Sequence, residues 1–368
     1  MKVLHFSITP LAGMPIRLVQ ALERHTGVDA RLVDLKRFGL YDHDLVFQES
    51  PEEALDLAWE ADVIHLHNYL DYDSKVFGRI DFGELTQAGK RILRQFHSSP
   101  DLVAQVMGIT PEALLAQGIP CIAIAQYPER LYPKAMVVPN FVPETDRAYL
   151  PSSKPPQWDI FFSPTKDMSA WADRWSTKGM PETTAVIEAV AKKAGCVARI
   201  VTGLPLSEAL SIKRQSRIVV DDLVTGSYHL TGLEGLAQGK CVLSHLDERS
   251  LMLLRHFSGA DSHPFVNVRL EDASGVLEHL VNEPALCQEL GSRGRTWLTR
   301  RWPEERMIRF YERVYELLLE EPALVRRQPE LSLESDARYF SFNTLPDLTY
   351  RARAKAWASS PPVSAKEK

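Results

Sequence analysis

Short runs of consecutive apolar residues alternate with amphipathic stretches along most of the chain. Val3-Leu4-His5-Phe6 opens the series as a strand candidate. Residues 9–15 then form a Pro- and Gly-containing loop, and Pro15 suits a first helical turn, where its missing N–H has no partner to lose. Ile16, Leu18, Val19 and Leu22 place an apolar stripe on that helix. Residues 30–33, Val63-Ile64-His65-Leu66 and Ile92-Leu93-Arg94-Gln95-Phe96 are further strand candidates. Ser50-Pro51-Glu52-Glu53 reads as a capping box opening a helix through Trp59. Strands alternating with helices imply a parallel sheet covered on both faces.

The second half repeats this grammar. Residues 122–125 and 136–138 are strand-like, and the Pro-Ser-Ser-Lys-Pro-Pro stretch at 151–156 is the best linker. Beyond it come strand candidates at 160–162, 198–201, 218–220 and 241–243, with helices expected at 181–194, 207–213 and 232–238. From about residue 283 the pattern turns helical, over 285–298 and 304–319. The expected organisation is an α/β first lobe at 1–145, a second at 146–300, a helix at 301–330 and a tail at 331–368. Tyr339, Phe340, Phe342, Tyr350 and Trp357 of the tail are candidates for packing on the body, and the last residues have a disordered composition.

Composition narrows the picture without deciding it. The chain has 368 residues, which suits two domains, and a net charge of −5, which offers no global basic field for nucleic acid. No run approaches the roughly 20 apolar residues of a membrane-spanning helix, and the opening apolar run is too short for a signal peptide. Four cysteines without CxxC spacing indicate neither a disulfide framework nor a zinc site, as expected of reduced thiols in the cytoplasm.

In open parallel sheets ligands bind beyond the carboxyl ends of strands. The positions to inspect are therefore Gly13, His67-Asn68 and His97 in the first half, and Lys166, Asp221-Asp222 and residues 226–234 in the second. The first loop has no GxGxxG fingerprint, so a dinucleotide reading lacks support, and Gly13 serves either a turn or the close approach of a ligand. After Asp221 a Gly-rich loop through Gly226 and Gly232 leads into a short helix stopped by Gly239. Such a helix start is a natural phosphate seat, and Glu234, one turn in, is placed to accept hydrogen bonds from ribose hydroxyls. The plainer alternative is a turn shaped by glycines followed by a solvated glutamate.

The stretch Glu234-Gly235-Leu236-Ala237-Gln238-Gly239-Lys240-Cys241-Val242 resembles the donor-site motif of retaining GT-B glycosyltransferases of the large family-four group. Asp62 through His67, Val137 through Val142, Lys178-Gly179, and Gly291-Ser292-Arg293-Gly294-Arg295 through Tyr311 resemble other segments of that family in the same order, over about residues 1–320. The resemblance implies two Rossmann-like lobes facing a cleft, with the C-terminal helices returning to the first. It implies sugar transfer from a nucleotide-diphosphate donor to a glycan or glycolipid acceptor, with retention and without a metal cofactor. Donor contacts fall to Lys178, with Lys166 or Arg174 as partners, and to Gly226, Tyr228, Gly232, Leu233 and Glu234. Gly13, His67, Asn68 and His97 fall on the acceptor side, with His97 and Glu234 as the catalytic candidates. The chain departs from the family at Gly226, where a second glutamate is common, and residues 167–177 look like an insertion.

Three features pull elsewhere. Asp71-Tyr72-Asp73 is a literal DxD, a spacing that suits Mg²⁺ or Mn²⁺; its place in the first half favours a surface or acceptor-side role. His65 and His67 are two residues apart on one strand face, but a metal site would need a third ligand nearby. Lys75, Arg79, Lys90, Arg91 and Arg94 are candidates for a basic surface that meets anionic lipid, although interleaved acidic residues favour a solvated scatter. The competing functions are a nucleotide-sugar epimerase, an inverting transferase, or a nucleotide-sugar-binding scaffold without activity.

Overall fold

In the computed structural model, the described residues are 1–164, 167–171, 177–332, 335–346, 348–349, 351–352 and 355. Two separate parallel sheets organise them. The first has seven strands: β1 (Lys2–Ser7), β2 (Asp29–Asp34), β3 (Leu45–Val46), β4 (Val63–His67), β5 (Arg91–Phe96), β6 (Cys121–Ile124) and β7 (Met136–Val138), in the order β3-β2-β1-β4-β5-β6-β7. The second has five: β8 (Trp158–Phe162), β9 (Ala198–Ile200), β10 (Ser216–Asp222), β11 (Cys241–Ser244) and β12 (Val266–Asn267), in the order β12-β11-β10-β8-β9. The order reverses between β1 and β4 in one sheet and between β8 and β10 in the other. These are the switch points where the loops beyond the strands part and leave a crevice.

The helices of the first lobe are α1 (Met14–His25), α2 (Pro51–Glu60), α3 (Phe82–Gln87), α4 (Pro100–Met107) and α5 (Pro111–Ala116). Gly13, in the left-handed region at φ 75°, turns the chain into α1, whose residues Ile16, Leu18, Val19 and Leu22 are all buried. Side-chain caps start several of these helices: Asp81 accepts from Glu84 N–H, Ser99 from Leu102 N–H and Thr110 from Ala113 N–H. Ser50 makes no such bond, so the expected capping box at α2 is not formed; Pro51 and two acidic residues in the first turn start that helix instead.

The second lobe carries α6 (Met180–Ala194), α7 (Leu206–Arg214), α8 (Leu230–Ala237), α9 (Glu248–Ser258), α10 (Ala273–Asn282), α11 (Pro284–Arg301) and α12 (Glu304–Glu320). α12 returns to the first lobe: Met307, Ile308, Tyr311, Val314, Tyr315 and Leu318 are fully buried along one face, at the helical spacing that a docked amphipathic helix requires. At its start Glu304 accepts from Arg24 at 2.6 Å and lies 2.9 Å from His25, both on α1. Among the described residues no helix is long and apolar enough to cross a membrane.

Candidate donor site between the lobes

The switch point of the second sheet carries a buried cluster of charges. Lys178, just before α6, donates to Asp221 Oδ1 at 2.8 Å, and Asp221 is fully buried at the end of β10. The backbone N–H of His229, at the start of α8, donates to Asp221 Oδ2 at 2.7 Å. One N–H at the phosphate seat expected at this helix start is therefore taken by the chain's own carboxylate. Gly232 permits the contact, since a Cβ there would lie 2.5 Å from Asp221 Oδ2. Burial pushes the Asp221 carboxyl up, but Lys178 and His229 outweigh it and the net shift is downward.

Glu234 faces the same region and is almost fully buried, which excludes the solvated alternative. Its Oε1 accepts from Arg17 of α1 at 2.6 Å, and its Oε2 accepts from Lys213 of α7. Burial raises the Glu234 carboxyl, and Lys213 and Arg17 more than offset this, so it stays ionised. Both oxygens expected to meet a ribose are thus held by the chain's own cations. Arg17 stands over the Tyr149 ring, 5.7 Å from its centroid, while its Nε and Nη1 are buried without a partner. Three cations thus surround two carboxylates, and one of the cations has donors to spare.

Arg17 and Lys213 were not legible as site residues. Arg17 lies opposite the apolar stripe of α1, on the face that also carries Gln20 and Arg24, so its position reads as a solvated one. Lys213 ends a helix, where a basic residue is ordinary. Lys166 and Arg174 lie outside the described residues. Tyr228 and Leu233 are fully buried; Tyr228 donates to the Ala125 carbonyl at 3.2 Å and packs the lobes together rather than facing open space.

Gly226 adopts φ 84°, and a Cβ there would lie 3.1 Å from Asp247 Oδ2. Asp247 caps α9 through Ser250 N–H and receives Arg130 of the first lobe at 2.8 Å. A carboxylate from α9 therefore stands where a side chain at 226 would begin. Nearby, Arg249 makes a fully buried two-pronged pair with Glu129 at 2.7 and 2.9 Å, joined by Arg327 at 2.9 Å. A cavity of about 650 Å³ opens beyond β10, β11 and β12, lined by Val224, His245, Asp247, Asn267 and Arg269 and by Leu345 of the tail. Glu234, Lys178 and Lys213 do not line it. The charge cluster is the better diphosphate candidate, because a strongly charged anion requires cations before it requires space.

In the first lobe, Gly13 passes Tyr41 so closely that a Cβ would meet Tyr41 Cδ1 at 2.6 Å. His67 and Asn68 do not reach the cleft: both are buried beneath His97. Asn68, left-handed at φ 48°, ties β4 to β5 by accepting the His97 N–H at 2.7 Å and by giving its carbonyl to Arg94 at 2.6 and 2.8 Å. Arg94 is thus buried and is no part of a basic surface, while Arg79 pairs with Glu52 at 2.9 Å and Lys75 with Asp81. Asp71 is buried, not a surface residue: its Oδ1 accepts from Asp73 N–H at 3.1 Å and from Ser74 at 2.9 Å, and its Oδ2 accepts from Gln117 at 3.0 Å. The DxD spacing here builds a turn. His97 alone of this group is half-exposed.

No protein-family model matches this chain, and no curated protein matches it. Solved structures do. An alpha-glucosyltransferase in complex with UDP-glucose and DNA has a TM-score of 0.57 at 14% identity, over 86% of this chain and 99% of that one. The sucrose-phosphate synthase of Thermosynechococcus elongatus has a TM-score of 0.53 at 13% identity, over 87% and 99%. HepE of Anabaena, in complex with UDP and glucose, has a TM-score of 0.54 at 10% identity, over 86% and 99%. Likeness at this identity speaks to architecture alone, and by its two facing parallel sheets and returning helix the chain has the two-lobed GT-B fold of glycosyltransferases.

Proposed function

We propose that the chain is a glycosyltransferase that moves a sugar from a nucleotide-diphosphate donor to a glycan or glycolipid acceptor, with retention and without a metal. The observation that carries this is the cation cluster of Arg17, Lys178 and Lys213 around Glu234 and Asp221 between the lobes. With a donor bound, these cations would turn from the carboxylates to the diphosphate and hold the negative charge that grows as the sugar leaves. Such stabilisation is the larger part of this kind of catalysis. The acceptor oxygen would attack from the face the diphosphate vacates, with His97 at the rim of the first lobe meeting a hydroxyl. The structural neighbours in complex with UDP and with UDP-glucose favour a uridine nucleotide as the first donor to try. An acceptor of the bacterial envelope, met from the cytoplasmic side, suits the family resemblance. Of the expected basic surface only Lys90 and Arg91 remain for lipid contact.

A panel of nucleoside diphosphates and their sugars, read by thermal shift, tests the reading. A ligand at a hundred times its Kd stabilises by about 2.7 kcal/mol, or roughly 3–4 °C for 368 residues. A panel that moves nothing overturns the donor site. A donor that binds and turns over to an inverted product, or to an epimerised donor without acceptor, selects one of the neighbouring GT-B activities. The Gly226–Asp247 arrangement favours a second reading, a donor-binding scaffold, which binding without transfer or hydrolysis would select.

A further inference from the structure

Beneath His97 the first sheet buries three more histidines on one face. His5 and His65 are register partners on β1 and β4, His67 is two residues on, and Gln95 of β5 pairs in register with His67. α12 covers this face with Tyr311 and Tyr315. His5 Nδ1 lies 3.1 Å from His67 Nε2, and His67 Nδ1 lies 3.1 Å from His97 Nε2. The Tyr315 hydroxyl lies 2.8 Å from His65 Nδ1 and 3.4 Å from His5 Nε2. Burial holds all four imidazoles far below their ordinary titration range, His5 and His97 at about 3, so each is neutral near pH 7.

His5, His65 and His67 bring ring nitrogens within 4.8 Å of one another, which suggests a metal. The ring planes exclude it: His65 stacks on His5 and His67 with centroids 4.4 and 4.6 Å apart and planes inclined by only 30° and 14°. A ligand lone pair lies in its ring plane, and near-parallel planes do not converge on one ion.

A neutral imidazole has one N–H and one lone pair, so a row of them has a direction. A backbone carbonyl sets it here, because a carbonyl can only accept. Tyr311 donates its hydroxyl proton to the Pro139 carbonyl at 2.9 Å, so its oxygen accepts from Gln95 Nε2 at 3.4 Å. Gln95 stands diagonally across from His65 on the same face, and Gln95 Oε1 and His65 Nε2 are both buried without a hydrogen-bond partner. A proton on His65 Nε2 lets a small turn of the Gln95 carboxamide pair the two atoms; without it both are acceptors only and neither can satisfy the other. His65 Nδ1 then accepts from Tyr315, Tyr315 accepts from His5 Nε2, His5 Nδ1 from His67 Nε2, and His67 Nδ1 from His97 Nε2.

We infer that the Pro139 carbonyl, through Tyr311, Gln95, His65, Tyr315, His5 and His67, fixes His97 with its proton inward on Nε2 and its Nδ1 lone pair outward, as an acceptor for a substrate hydroxyl. The inner residues are positioning residues; His97 makes the contact. The substrate half of this inference rests on the glycosyltransferase reading, and the chain of protons does not.

Long-range ¹H–¹⁵N spectra of the ¹⁵N-histidine-labelled full chain test it. All four rings are expected as Nε2–H tautomers; an Nδ1–H on His97, or mixed directions among the four, overturns the chain. Tyr315→Phe removes the acceptor for His5 Nε2–H, and a buried N–H is worse to orphan than a lone pair. His5, His67 and His97 should therefore reverse, with His97 appearing as Nδ1–H; a folded Tyr315→Phe protein with His97 unchanged also overturns it. So does equimolar Zn²⁺ that replaces the four tautomer signatures with metal-bound ones. In transfer assays Tyr315→Phe should lower kcat roughly tenfold, the loss of about one hydrogen bond, and leave nucleoside-diphosphate affinity unchanged. Expected tautomers in a protein that transfers no sugar would sink the functional reading and leave the chain intact.

Discussion

Replacing Arg17 by Met separates two roles that one contact combines. Arg17 and Glu234 belong to different lobes and meet at 2.6 Å with both side chains almost fully buried. Two unit charges about 4 Å apart at an effective dielectric of ~20 attract by about 4 kcal/mol. Much of that offsets the cost of taking the guanidinium out of water, and Glu234 keeps Lys213 when Arg17 is lost. A net loss of about 2 kcal/mol follows, or roughly 2–3 °C in Tm for 368 residues. Donor binding should respond more strongly. The unpaired Nε and Nη1 of Arg17 are the donors available to a diphosphate, and charge-assisted hydrogen bonds contribute about 1.5–3 kcal/mol, so nucleoside-diphosphate affinity should fall by about ten- to a hundredfold. The assay is calorimetric titration with UDP on wild type, Arg17→Met, Glu234→Gln and the double variant, with Tm measured in parallel. The stability cycle should give a coupling of about 1–3 kcal/mol. Unchanged UDP affinity in Arg17→Met, with coupling below about 0.5 kcal/mol, would refute both the diphosphate role and the inter-lobe pairing.

Stability should fall steadily on acidification. Glu234, Asp221, Asp247 and Glu129 are each raised by burial and lowered further by cations, so their contribution exists above the ordinary carboxylate range and is lost as pH drops through their depressed values. His5 and His97, depressed by burial to about 3, add a loss that starts near 6.5, where the unfolded chain begins to bind protons that the fold excludes; a calorimetric Tm that is flat between pH 7 and 5 would contradict this. Gly226→Glu should lower Tm by several degrees and lower activity, because it combines a left-handed backbone with a clash against Asp247; a fully active, undestabilised variant would show that the loop is free to rearrange. Turnover should survive excess EDTA, and Asp71→Ala should cost stability through the lost turn bonds to Asp73, Ser74 and Gln117; activity abolished by chelation and restored by Mn²⁺ would reverse the reading of the DxD spacing.

The elements with the strongest periodic or apolar signal were legible in the sequence. The strands at 63–66, 92–96 and 218–220 lie within β4, β5 and β10, and the helix expected at 181–194 differs from α6 by one residue. β3 and β12 have only two residues each, too short for any period to register. Asp221 and Glu234 were found because they flank a strand end and a helix start, and Lys178 because Lys178-Gly179 resembles a family segment. Their partners were not, because Lys213 and Arg17 reach Glu234 from 21 and 217 residues away, and linear spacing carries no trace of such contacts. The same blindness gave His67 and Asn68 to the cleft: their alternation along β4 is plain, but His97 covering them depends on β5.

Asp221 at the head of α8 also says something about which anions the cleft will ignore. A carboxylate tethered on the neighbouring strand competes with every visitor as an intramolecular ligand, without the entropy cost a dissolved anion must meet. Inorganic phosphate or sulfate, offering only its charge, has nothing else with which to displace it. Under the proposed function a nucleotide sugar would gain contacts through its base, ribose and sugar at the same moment and could dislodge the occupant. At the proposed donor site the lodged carboxylate would thus act as a threshold, setting the minimum size and complexity of a molecule that can open the cleft and leaving the chain indifferent to the small anions that always surround it.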